Sequence, residues 1–404
     1  MEVKKFYKRV KKSIKRRLKK RLKKSKLFGK YQKLRKSQYV ILYNIYSRIL
    51  VQKKNEVAML SDSRKELSGN LAFIDTELKA NGYHVSYFFK KSLKEKKSFH
   101  EVKTLCKLMA RSKYILLDDF YPIIYPIQLR KGTKLIQVWH AMGAFKTVGF
   151  SRMGKPGGPS EKSITHRNYT DAITSAESIR KNYAEAFWID IDKVHATGVP
   201  RTDIFFNQNY KAHIKQSIYE KYPIMKNKKV VLFAPTFRGA GQNSAHYNFE
   251  WIDFERIQNE LPDEYIFVSK MHPFIKNIKH LPEDNEKFLN LTCEREINDL
   301  LFVTDVLITD YSSVIFEASL LNINTIFYVP DLEEYVASRD FYYPFEDYTF
   351  GQVVKEFDQL IEAIQSPEND IDKLVRFKQY FCEACDGKAT KRFVETLFDE
   401  VKKK

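Results

Sequence analysis

The sequence predicts an α/β protein: two Rossmann-like domains facing a central cleft, preceded by an N-terminal basic amphipathic helical arm. Three observations carry this. β-rich segments alternate with helical ones in two successive series, as parallel sheets with crossover helices require. About 350 of the 404 residues follow the arm, enough for two domains of ordinary size. Polar residues able to do chemistry stand just after strands in both series, where open parallel sheets bind their ligands.

The arm is assigned to residues 1–52. Nineteen Lys/Arg and one acid, Glu2, fall within the first 36 residues, which carry +18 of the formal +20. The remaining 368 residues hold 51 Lys/Arg and 49 Asp/Glu and are nearly neutral. Phe6, Val10, Ile14, Leu18 and Leu22 recur every four residues, before the first Gly at 29. Each step of four drifts about 40° on a helix, so the five define one apolar stripe. A basic helix with such a stripe suits an anionic membrane surface, where each Lys/Arg contributes roughly 1 kcal/mol. Phosphate-backbone binding needs no apolar face, so a membrane is favoured over nucleic acid. A solvated tail is the plainer alternative. The arm lacks the apolar core and cleavage site of a secretory signal. Residues 39–51 contain Asn44 and Arg48 and are too short to span a bilayer. A peripheral protein at the cytoplasmic face of the cell membrane is expected.

The first domain is assigned to 53–208. Strands are expected at 56–60, 84–89, 114–117 and 135–139, with a helix reaching to about residue 80. Residues 206–227 read as the connection. The second domain, 209–404, has strands at 230–234, 265–269, 306–309 and 325–329 and helices near 254–261 and 313–321. Its last helix is expected to pack back on the first domain. Four Cys give no disulfide framework. Cys382 and Cys385 lack the partners of a zinc site and read as buried packing.

Three strand ends hold candidates. His140 leaves a buried strand and enters a small-residue turn, Ala141, Met142 and Gly143. There it can act as general base near neutral pH, or merely cap the strand. Lys270 and His272 alternate after the 265–269 strand and are expected to share a face, and the following Pro273 holds His272 extended. A cation and an imidazole on one side suit a phosphate. The third and strongest runs from Asp305 through Asp310, Ser312 and Ser313 to Glu317. Ser312 or Ser313 can cap the next helix, whose free amides favour an anion. Glu317, one turn on, can reach a sugar hydroxyl. Thr236 and Arg238 follow the 230–234 strand. Residues 149–167 hold four Gly with Arg152, Lys155, Lys162, His166 and Arg167, and read as a basic loop able to hold an anionic substrate. It lacks P-loop spacing. Together these groups suit a diphosphate-containing nucleotide. No GxGxxG fingerprint and no carboxylate cluster of a two-metal site occurs in the sequence.

Five ordered motifs then resemble the CDP-glycerol glycerophosphotransferase family, bacterial enzymes of teichoic acid synthesis. They are Val138-Trp139-His140-Ala141, Gly198 to Asp203, Pro235 to Arg238, Lys270 to Pro273, and Asp305 to Glu317. The resemblance runs from about Glu56 to Arg392. It implies a GT-B fold with the active site between the domains. It also implies transfer of glycerol phosphate or ribitol phosphate from CDP-glycerol or CDP-ribitol to a hydroxyl of an undecaprenyl-type lipid-linked acceptor, releasing CMP. His140 would deprotonate the acceptor, and His272 would bind and neutralise the donor diphosphate. Ser312 and Ser313 would hold donor phosphates. Thr236 and Arg238 would line the nucleotide side, with Lys270 and Asp310 counted in the same site. Glu317 would contact ribose or the alditol. Ala141 stands where many members have Gly, and 155–160 and 166–169 resemble members that handle ribitol phosphate, so the alditol stays open. No cofactor is implied. Mg²⁺ often accompanies a diphosphate, but the sequence does not indicate it. A sugar-nucleotide glycosyltransferase of the same fold is the rival enzyme. A nucleic-acid-binding protein is the rival of another class, which the near-neutral body disfavours.

Overall fold

The computed structural model describes residues 26–239, 244–276, 278–293 and 296–399. The apolar stripe Phe6, Val10, Ile14, Leu18 and Leu22 lies outside them. Two six-stranded sheets, parallel throughout, form the frame. The first comprises β1 (Lys53–Ser61), β2 (His84–Phe89), β3 (Ser112–Leu117), β4 (Lys134–Gln137), β5 (Asp171–Ile173) and β6 (Val194–His195). Its order is β2-β1-β3-β4-β5-β6. The second comprises β7 (Lys229–Phe233), β8 (Tyr265–Ser269), β9 (Phe288–Asn290), β10 (Val306–Thr309), β11 (Asn324–Tyr328) and β12 (Gln352–Val354), in the order β12-β11-β10-β7-β8-β9.

The central strands are apolar on both faces because helices cover both. Val57, Ala58, Met59 and Leu60 are fully buried in β1, as are Ile115, Leu116 and Leu117 in β3. Such continuous apolar runs mark buried parallel strands. The outer strands β5, β6, β9 and β12 have only two or three residues each. They were not expected, since so short a run has no readable period.

The expected strand at 135–139 ends early. Val138 still donates to the Leu117 carbonyl at 2.7 Å, but Trp139 turns into left-handed backbone at φ 51°. His140 is thereby thrown off the sheet edge.

The helix Lys26–Ile49 lays Tyr39 and Tyr43 into the main apolar core. Among the described residues no helix is long and apolar enough to cross a membrane. The last helix, Ala389–Leu397, brings Phe393, Val394 and Leu397 against Val57, Met59 and Tyr114 of the first sheet. Its start is held from afar: Asp203 accepts from the Ala389 and Thr390 amides at 2.9 and 2.8 Å. Gly198 permits that approach, because a Cβ there would sit 2.1 Å from the Ala384 carbonyl oxygen. Cys382 and Cys385 are buried and free.

A strap joins the two halves. Lys146 and Phe341 form an antiparallel bridge. Beside it, Thr147 N donates to Asp340 O at 3.0 Å and Tyr342 N to Phe145 O at 2.9 Å. Phe145 packs on Phe341 and Tyr348, so the seam is also aromatic.

Candidate active site

A cavity of about 330 Å³ opens between the carboxyl ends of the two sheets. His140, Gly143 and Lys146 line it from the first domain; Thr236, Phe237, His272, Ser312 and Ser313 line it from the second.

The turn after β4 is built to present His140. Gln137 Oε1 accepts from Trp139 N at 2.9 Å, and Asn70 Nδ2 donates to Trp139 O at 2.9 Å. Further on, Gly143 N donates to Ser175 Oγ at 3.1 Å and Gly143 O accepts from Tyr183 at 2.7 Å. Gly143 has φ 68°, and a Cβ there would lie 2.3 Å from the Phe316 ring. Only glycine lets this turn touch the second domain. The half-exposed His140 has Nδ1 3.6 Å from Asp119 Oδ1, an ion-pair distance longer than a hydrogen bond. Asp119 is itself fixed, accepting from the Phe120 amide at 2.6 Å. A carboxylate at Nδ1 favours the tautomer whose Nε2 is free to take a proton. Asp119 was missed in the sequence; its position just past β3 is the signal that marks it.

His272 lies across the cavity. Its Nδ1 accepts from Phe274 N at 3.1 Å, which leaves Nε2 as the donor nitrogen. Burial, and then the nearby Lys146 charge, push its pKa down to about 4. It is therefore neutral near pH 7 and offers an N–H. Ser312 Oγ accepts from Val314 N at 3.4 Å, a weak cap, and Ser313 makes no side-chain cap bond. The helix they precede, Val314–Leu320, has only seven residues. The paired hydroxyls are thus a stronger asset than the dipole.

Several expected donor-site residues are committed elsewhere. Arg238 grips Asp331 with Nε and Nη2 at 2.7 and 2.8 Å, while Nη1 donates to Asp310 and to the Thr236 carbonyl. Its guanidinium lies among the rings of Tyr247, Trp251, Tyr311 and Tyr335. Asp310 is 1% exposed and accepts from the Thr236 and Tyr311 amides. These two charges shape the loop carrying Thr236 and do not line the cavity. Lys270 does not join His272 in lining the cavity: it follows the last residue of β8, Ser269, and its Nζ donates to Thr292 O at 3.3 Å. Glu317 is 2% exposed and ion-paired to Arg201, whose guanidinium also donates to the His140 carbonyl. Its carboxylate therefore ties the two domains together behind the cavity instead of reaching a sugar.

The 149–167 segment also departs from the basic-loop reading. His166 is 4% exposed, with Nδ1 3.1 Å from the Tyr169 hydroxyl, and burial pushes it down to about 4. It packs beneath Trp139 and Phe187 as an uncharged core ring. Arg152 and Arg167 donate to the carbonyls of Pro156 and Glu161, closing the segment on itself. Lys155 pairs with Asp340 at 3.1 Å. None of the four lines the cavity.

Lys146 also lines the cavity and was missed in the sequence. Burial lowers its pKa to about 8; Asp310 opposes the shift, while Arg339 and Arg238 add to it. Among the described residues, no cluster of three or more His, Cys, Asp or Glu is arranged to hold a metal ion.

A family model described as CDP-glycerol:poly(glycerophosphate) glycerophosphotransferase matches residues 10–399. A teichoic acid poly(ribitol-phosphate) polymerase of Bacillus spizizenii is 48% identical over 369 residues, covering 91% of this chain and 60% of the relative. The teichoic acid ribitol-phosphate polymerase TarK of Staphylococcus aureus is 42% identical over 363 residues, covering 88% of this chain and 71% of that protein. The chain thus spans about 60% of the length of the first of these relatives. A CDPG-soaked variant of the wall teichoic acid polymerase TagF superposes with a TM-score of 0.74 at 19% identity, over 91% of this chain and 94% of that one. At that identity the likeness shows a shared fold.

Proposed function

The chain belongs to the CDP-glycerol:poly(glycerophosphate) glycerophosphotransferase family, and on that premise we propose that it transfers an alditol phosphate from a CDP-alditol to an acceptor hydroxyl in teichoic acid synthesis. The observation that carries the reading is one cavity lined by His140 from one domain and by His272, Ser312 and Ser313 from the other. In this reading the first domain handles the acceptor and the second the donor.

His140 Nε2 takes the proton from the acceptor hydroxyl as its oxygen attacks the phosphorus bearing the alditol. The bond from that phosphorus to the bridging oxygen breaks, and CMP leaves with the electron pair. Asp119 steadies the imidazolium that forms. His272 donates Nε2–H and the two serines donate hydroxyls to the donor phosphates. Catalysis is positioning and charge stabilisation during an in-line displacement.

Two ribitol-phosphate polymerases among the relatives favour ribitol phosphate over glycerol phosphate as the transferred unit. The acceptor is read as lipid-linked, of undecaprenyl type, reached from the cytoplasmic face by a chain docked peripherally through the stripe Phe6 to Leu22. The decisive experiment incubates the protein and an acceptor with CDP-ribitol or CDP-glycerol and measures CMP. Faster release from CDP-ribitol is expected; no CMP from either donor sinks the reading.

A further inference from the structure

We propose that Lys146, carried by the acceptor domain, is the cation that clasps the donor's diphosphate. The proposal rests on the CDP-alditol reading above. A diphosphate brings at least two negative charges into a partly enclosed cavity, where burying them without a counter-charge is costly. The donor-side cations that the sequence offered for this task do not line the cavity. Arg238 is held by Asp331 and Asp310, and Lys270 turns to Thr292. His272 is uncharged near pH 7. Among the described residues that line the cavity, Lys146 is the one Lys or Arg.

Its placement is built. The bridge to Phe341 and the two flanking hydrogen bonds fix the Lys146 backbone at the seam between the domains. The side chain runs past the Tyr335 ring, with Nζ 5.5 Å from its centroid. Among the described residues, no carboxylate lies within ion-pair distance of that ammonium. The charged groups that act on it are Asp310, Arg238 and Arg339, together with His272 across the cavity. Three of the four are or can become cationic. They make the cavity an unfavourable place for a charged lysine and a favourable one for an anion. Because Lys146 belongs to the first domain and the serines to the second, diphosphate capture would depend on the strap holding both halves together.

The pH dependence follows with a definite sign. The protonated amine binds the anion, and its free-state pKa is about 8. Affinity should therefore hold below pH 8 and fall above it, by roughly tenfold per pH unit once Lys146 is mostly neutral.

The test is calorimetric titration with CDP at pH 7.5 and 9.5 on the full chain and on Lys146→Met and Lys146→Arg, with thermal melts to confirm folding. Wild type should bind at least tenfold more weakly at pH 9.5. Lys146→Met should lose at least tenfold in affinity at pH 7.5. Lys146→Arg stays charged at both values and should lose most of the pH dependence. Wild-type affinity in Lys146→Met, or an undiminished fall between pH 7.5 and 9.5 in Lys146→Arg, overturns the inference and spares the CDP-alditol reading. A wild-type chain that does not bind CDP at all overturns both.

Discussion

His140 gains its chemistry from what surrounds it. The left-handed Trp139 throws it off β4, Asp119 faces one nitrogen, and Arg201 fixes its carbonyl. A base so placed should matter to kcat more than to binding. His140→Ala is expected to lower kcat by a factor on the order of 100 or more while leaving CDP affinity within about threefold. Retention of more than roughly a tenth of kcat, a barrier change of about 1.4 kcal/mol, would argue against the base role. His166 makes the opposite point. It stands in a segment that looks basic and mobile in the sequence, yet it is a buried, uncharged ring under Trp139. Residue type alone does not separate a His at the site from one packed in the core; burial does.

At the scale of elements, the turn 140–146 and the helix Val314–Leu320 behave as one unit. Gly143 presses on Phe316, Tyr348 donates to the Ala144 carbonyl at 2.7 Å, and Phe145 packs on Tyr348. A side chain at 143 would pay a left-handed backbone strain of about 1–2 kcal/mol and an overpacking cost of about 1–3 kcal/mol. Gly143→Ala should therefore destabilise the protein by at least about 2 kcal/mol, read as a lower urea midpoint with unchanged slope. An unchanged midpoint would show that the seam can yield. The central strands and this helix were legible because apolar runs, and serines placed just before a helix, are local signals. The strap 145–147 to 340–342 was not, because its partners lie nearly 200 residues apart and neither carries a strand period.

On the scale of the whole molecule, charge and chemistry are separated. Nearly all net charge lies in the first 36 residues, whereas the cavity is served by one lysine, two histidines and hydroxyls. Removing residues 1–25 leaves the described helix Lys26–Ile49 in place and should abolish most binding to anionic phospholipid vesicles. The loss should shrink as salt rises, since screening weakens surface electrostatics. CMP release with a soluble acceptor should be spared. Co-sedimentation with neutral and anionic vesicles checks this, and equal binding of the full chain to both would contradict the electrostatic role.

By itself, the sequence determined the α/β class, the two-domain plan, the family, and the strand-end residues His140, Thr236, His272, Ser312 and Ser313 that meet in the cavity. Each follows from a local pattern: an apolar strand run, a polar residue at its end, or a short motif. The tertiary structure decided which charges are free to act. Arg238, Lys270, Asp310 and Glu317 looked available and are bonded within the protein, while Lys146 and Asp119 were passed over and stand at the site. The reason is physical. A charged side chain is spent or available according to its neighbours in space, and those neighbours come from the other sheet, the other domain or a loop far along the chain.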